Sequence, residues 1–75
     1  MQKLPRLSGK KVVKALSKVG FKPARRKGSH IIMKKINDEG TKVTVVPDHK
    51  EVDRGTLLEI IRQAGLKKEE FLKLV

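Results

Sequence analysis

Glycine-bearing breaks cut the middle of this chain into short runs. Gly20, the pair Gly28–Ser29 and the stretch Asn37-Asp38-Glu39-Gly40-Thr41 separate residues 21–27, 30–36 and 42–47. The last two runs, HIIMKKI and KVTVVP, are rich in β-branched residues. Asn, Asp and Gly between two such runs signal a hairpin. Pro23 has no amide to donate, so the first run, FKPARRK, suits an edge strand. Three short strands are therefore expected. With 75 residues and no cysteine, the core is small and no disulfide or thiolate zinc site can reinforce it.

Helical patterns flank the strands. Ser8 reads as an N-cap, followed by Val12, Ala15, Leu16 and Val19 at helical spacing, with Gly20 as the stop. Leu7 can pack on Val12 as a hydrophobic staple. The first helix is expected over residues 9–19. Thr56 with Glu59 three positions on reads as a capping box, and Leu57, Leu58, Ile61 and Ala64 as the buried stripe of a second helix ending at Gly65. A short last helix follows, with Glu69 and Glu70 in its first turn. The order is α-β-β-β-α plus a terminal α, an α+β fold over residues 1–75 as one domain. Its simplest form is a three-stranded antiparallel sheet with helices on one face. Alternation places Ile31 and Met33, with Val43 and Val45 opposite them, on the covered face. His30, Ile32, Lys34 and Thr44 then point to solvent.

Charge narrows the function. The net charge is +11 and its distribution is one-sided. Residues 1–35 carry 12 Lys and Arg and no acid, whereas residues 36–75 carry 7 basic and 8 acidic residues. An acid-free run of that length is the footprint of a polyanion partner, nucleic acid before anionic membrane. Phe21 and Phe71 are the only aromatics. Recognition by base stacking needs several exposed rings, so contacts should be with phosphate and shape. No apolar stretch of export-signal length follows the basic start. No run reaches the roughly 18 apolar residues of a membrane helix. A soluble, cytoplasmic protein is the expectation.

Few residues can carry chemistry. Two histidines, with Asp38, Asp48 and Asp53 scattered through turns, make no convincing metal-ligand set, and no glycine-rich phosphate loop is present. Phosphodiester cleavage by this chain would proceed without metal or other cofactor. Histidine changes charge near neutral pH, which suits it to either proton role. His30 stands in R-R-K-G-S-H, with Arg25, Arg26 and Lys27 before it and Lys34 after it. Gly28 lets backbone approach a ligand, and Ser29 can donate to a phosphate oxygen. His30 is a proton-transfer group or an ordinary strand histidine. His49, in V-P-D-H-K, is a secondary candidate or a loop histidine, and meets His30 only if two strand ends converge. Lys10 and Lys11 oppose the dipole of the first helix; with free amides they hold a phosphate, or they are tolerated surface charges.

The order of several short motifs resembles the HicA toxin family, also called YcfA-like. They are L-P-R-L-S-G-K-K-V-V-K-A-L at 4–16, G-F at 20–21, R-K-G-S-H at 26–30 and V-P-D-H at 46–49. G-T-L-L-E-I-I-R-Q-A-G-L at 55–66 and E-E-F-L at 69–72 complete the series. The resemblance implies a double-stranded-RNA-binding-domain-like fold and cleavage of mRNA independent of the ribosome. It implies His30 as the catalytic residue and a HicB-like antitoxin as partner. Residues 50–54 match none of these motifs. Two other functions compete: a non-catalytic RNA-binding module on the same fold, and a structural component of an RNA–protein assembly.

Overall fold

Ser8 opens the first helix, α1 (Gly9–Ser17), in extended conformation, and its side chain accepts from the Lys11 amide at 3.2 Å. Leu7 before the cap and Val12 after it are both buried in the core. The helix proper stops at Ser17, two residues short of expectation. A turn then leads to Gly20, whose φ of +97° few other residues adopt. The computed structural model describes residues 4–75.

Three antiparallel strands follow: β1 (Lys22–Lys27), β2 (His30–Asn37) and β3 (Gly40–Pro47), in the order β1-β2-β3. Gly28, at φ +59°, opens the two-residue turn between β1 and β2. β1 is an edge strand throughout its length and is interrupted by a bulge at Ala24. Helix α2 (Arg54–Gln63) and the short α3 (Lys68–Leu72) complete the chain. This is the α+β order of a double-stranded-RNA-binding-domain-like fold. Val12, Ala15 and Leu16 of α1, Leu57, Ile60 and Ile61 of α2, and Phe71 of α3 form the core with Phe21, Met33 and Val46. No helix among the described residues is long and apolar enough to cross a membrane.

The faces of the β2–β3 hairpin correct the expected assignment. Ile31 and Met33 do face the helices. Their partners, however, are Val46 and Thr44, while Val43 and Val45 lie opposite Lys34 and Ile32 on the open face. Val43 is 42% exposed and Val45 40%, whereas Thr44 is 1% exposed. The cause is the turn. Asn37 pairs with Gly40, so odd-numbered residues of β2 oppose even-numbered residues of β3. The buried Thr44 hydroxyl is satisfied by donating to Gln63 Oε1 of α2 at 2.8 Å.

Helix α2 also starts one residue after Asp53, not after Thr56. The Asp53 carboxylate accepts from the Thr56 amide at 3.1 Å and from its hydroxyl at 2.7 Å. Those bonds hold the Asp53 carboxyl below the usual range. Thr56 is a partner inside the first turn, and Glu59 pairs with Arg62 rather than closing a capping box. Ile60 takes the buried place expected of Leu58, which is 36% exposed.

Candidate active site

Three segments distant in sequence meet at one end of the sheet. The β1–β2 turn sets Lys27 opposite His30, and His30 opposite Pro47 at the end of β3. The Asp48 amide donates to the Ser29 carbonyl at 2.6 Å, extending that junction. The Gly9 amide donates to the His49 carbonyl at 2.9 Å, which brings in the start of α1. Glycine is required at position 9, since a β-carbon would overlap the Pro47 carbonyl oxygen.

His30 occupies the first position of β2, on the face away from the helices, and is exposed. Lys27 lies beside it, also exposed, and Gly28 has open space around its Cα. His49 lies two residues beyond the residue that faces His30. It lines a hollow with Ser8, Lys10, Asp48 and Lys50, a lining that does not include His30.

Asp48 organises this end of the molecule, although in the sequence it is one of several acids scattered through turns. Its Oδ2 accepts from Arg26 Nη2 at 2.8 Å, while Arg26 Nε donates to the Gly28 carbonyl at 3.1 Å. One guanidinium thus ties the turn that carries His30 to the end of β3. The Asp48 side chain is only 17% exposed. Its hydrogen bond from Arg26 lowers the carboxyl pKa, against the opposing effect of burial, and the charges of Arg26, Lys10 and His49 lower it further. A carboxyl lowered in the folded state contributes stability above its ordinary range and loses it as pH falls through the folded value. The clamp is therefore closed at neutral pH and opens only in acid.

The expected cations separate into groups. Lys10 lines an open hollow of about 320 Å³ with Ser8, Asp48, His49 and Lys50. Lys11 points elsewhere, into a groove shared with Leu7, Lys14 and Lys18. The amides of Gly9 and Lys11 are already bonded to the His49 carbonyl and the Ser8 hydroxyl. Any phosphate at this end would therefore depend on the ammonium groups more than on those amides. Arg25 lies on the open face opposite Ile32. Lys34 is four residues from His30, about 13 Å along the strand, opposite Lys22 and Val43. Among the described residues no three His, Cys, Asp or Glu side chains gather closely enough to hold a metal ion.

Residues 9–66 match the model of a protein family described as the HicA toxin of bacterial toxin–antitoxin systems. The chain belongs to the HicA toxin family. The matched stretch contains all three segments that meet at His30, from Gly9 and Lys10 through the Arg26–His30 turn to Pro47–His49. Membership makes this HicA-family chain the toxin of a toxin–antitoxin pair, and so implies an antitoxin that pairs with it. No curated protein matches the chain.

Proposed function

We propose that this toxin is an endoribonuclease that cuts mRNA in the cytoplasm without a metal, with His30 transferring the proton. The observation that carries the proposal is the exposed imidazole at the junction of the β1–β2 turn, the end of β3 and the start of α1. An attacking oxygen, the RNA 2′-hydroxyl or a water, bonds to phosphorus as the bond from phosphorus to the 5′-oxygen breaks. His30 accepts the proton of the attacking group, and the departing 5′-oxygen gains a proton from solvent. Lys27 and Lys10 stabilise the charge growing on the phosphate oxygens. Arg26, opposite Ile31 on the helix side of β1, acts through the turn: its bonds to Asp48 and to the Gly28 carbonyl hold the segment that carries His30. Gly28 and Ser29 form the turn against which a phosphate would rest. His49 is a secondary candidate for a proton role, and Lys11 and Lys34 lie on the route of a longer RNA.

Both phenylalanines are buried and the chain has no Tyr or Trp, so the two exposed imidazoles are the only rings within reach of a base. Binding then depends on phosphate charge, and affinity should fall steeply with salt. Replacing Arg25, Arg26 and Lys27 by Ala should flatten the plot of log affinity against log salt, by about 0.7 for each single-strand phosphate that is no longer neutralised. Fluorescence anisotropy with a labelled RNA across a salt series measures it. An unchanged slope would move the RNA surface elsewhere.

The deciding experiment incubates purified toxin with an end-labelled mRNA fragment, with and without EDTA. Cleavage should persist in chelator. A single 2′-deoxy nucleotide at the cut site then identifies the nucleophile: cleavage stops if the hydroxyl attacks and continues if water does. Tight binding with no cut product would favour the non-catalytic RNA-binding module. Loss of cleavage in EDTA would keep the nuclease and discard this chemistry.

A further inference from the structure

The two edges of the sheet are built differently. β1 is guarded: its six residues, KPARRK, include four cations, a proline and a bulge, all of which discourage another strand from pairing. β3 carries one cation, Lys42. That residue lies opposite Lys35, on the helix side, with its ammonium against Gly65 just after α2. Nothing charged on the open face guards the β3 edge.

The open face changes character across its width. Lys27, Arg25 and Lys22 form its column on β1. His30, Ile32, Lys34 and Ile36 form the middle column. Val45 and Val43 lie on β3, with Pro47 at the end of that strand. Ile36 is 77% exposed, and Val43 and Val45 are two-fifths exposed. An aliphatic strip therefore borders an unguarded edge, with Lys34 one strand spacing from Val43 and the β1 cations about 10 Å from β3 across two.

We propose that the β3 edge and the aliphatic strip beside it are the docking surface for an acidic protein, which adds a strand alongside Gly40–Pro47. Strand addition supplies main-chain hydrogen bonds, and alternate side chains of the added strand cover Val43 and Val45. Charge selects the occupant. A second copy of this chain would bring together two molecules of net charge +11, whereas an acidic rim would meet Lys22, Arg25 and Lys34. RNA is a poorer fit, because Lys34 is the one cation beside Val43 and Val45 on the open face, and a single ammonium holds few phosphates. His30 heads the middle column, so a partner seated here also reaches over it.

The inference rests on the toxin–antitoxin family and not on the RNA-cutting proposal, and its readouts are affinity and backbone protection. The probe is the purified antitoxin paired with this toxin. Val43→Lys with Val45→Lys should weaken the complex by about 30-fold or more, the effect of disrupting the centre of an interface. Lys14→Glu with Lys18→Glu on α1 should leave affinity unchanged. Hydrogen exchange of the unsubstituted complex should show new protection on β3 amides and none on α1. That measurement stands even if the double lysine variant folds poorly. Unchanged affinity with protection outside β3 would overturn the proposal. So would sedimentation showing that the toxin alone dimerises through this edge, or RNA alone protecting the β3 amides.

Discussion

His30→Ala should lower RNA cleavage by about 10²–10⁴-fold, the range set by removing a positioned proton-transfer group. The same substitution should leave stability within about 0.5 kcal/mol, as exposed positions without special interactions do. Both expectations follow from its place. The side chain is exposed on the open face, and β2 pairs with β1 and β3 through backbone. On the proposed function, removing the imidazole takes away the proton-transfer group without taking away packing. Two companions sharpen the test. His30→Gln keeps a polar side chain but cannot exchange a proton at neutral pH, so it should be as inactive as alanine. His49→Ala should keep most activity; an equal loss would make the two histidines a working pair. RNA affinity measured by anisotropy should survive in His30→Ala. Full cleavage by that variant would end the assignment of His30, whereas loss of binding and cleavage together would mark it as a contact residue.

How much of the fold is legible in the sequence depends on the distance over which each signal acts. Helix α1 is readable because Ser8, the Val12-Ala15-Leu16 stripe and Gly20 are local. The three strands are readable because their turns carry glycine. The faces of β3 are not. Val43, Val45 and Val46 look alike, so alternation alone cannot say which are buried. One parity shift at the Asn37–Gly40 turn decides it. Thr44 looks like a solvent residue, but its hydroxyl is satisfied across the interface by Gln63, nineteen residues on. The cap of α2 is misplaced in the sequence pattern because Asp53 and Thr56 bond to each other, and either one alone resembles a helix start.

The candidate site divides the same way. His30 stands out because a glycine, a serine and several cations crowd around it in sequence. Asp48 does not, because its meaning lies in Arg26, twenty-two residues away. The only local sign is its place one residue after the strand that faces His30. Lys10 and Lys11 look equivalent as neighbours. On a helix, consecutive residues point about 100° apart, and only Lys10 reaches the junction.

Gly9→Ala should be among the most damaging single-methyl additions to this molecule, although position 9 carries no chemistry. A β-carbon there overlaps the Pro47 carbonyl oxygen and lies 2.9 Å from Asp48 Cα. Both obstacles are backbone, so no rotamer change relieves them. Overpacking of this kind costs about 1–3 kcal/mol. If α1 moves away instead, the Gly9–His49 hydrogen bond breaks, at a cost of about 1 kcal/mol more. Alanine's better helix propensity returns at most about 1 kcal/mol. The net loss of about 2 kcal/mol should lower the melting temperature by about 8–16 °C in a domain of this size. On the proposed function cleavage should fall as well, because the shift carries Lys10 away from Asp48 and His49 and loosens the end of β3 that faces His30. Gly55→Ala is the control. Its β-carbon would meet only an Asp53 carboxylate oxygen, at 3.4 Å, within the first turn of α2. That variant should be neutral or more stable by up to about 1 kcal/mol, with cleavage intact. Thermal melts of the two variants side by side decide the matter: equal melting temperatures would show that α1 is not locked to the end of β3 through Gly9.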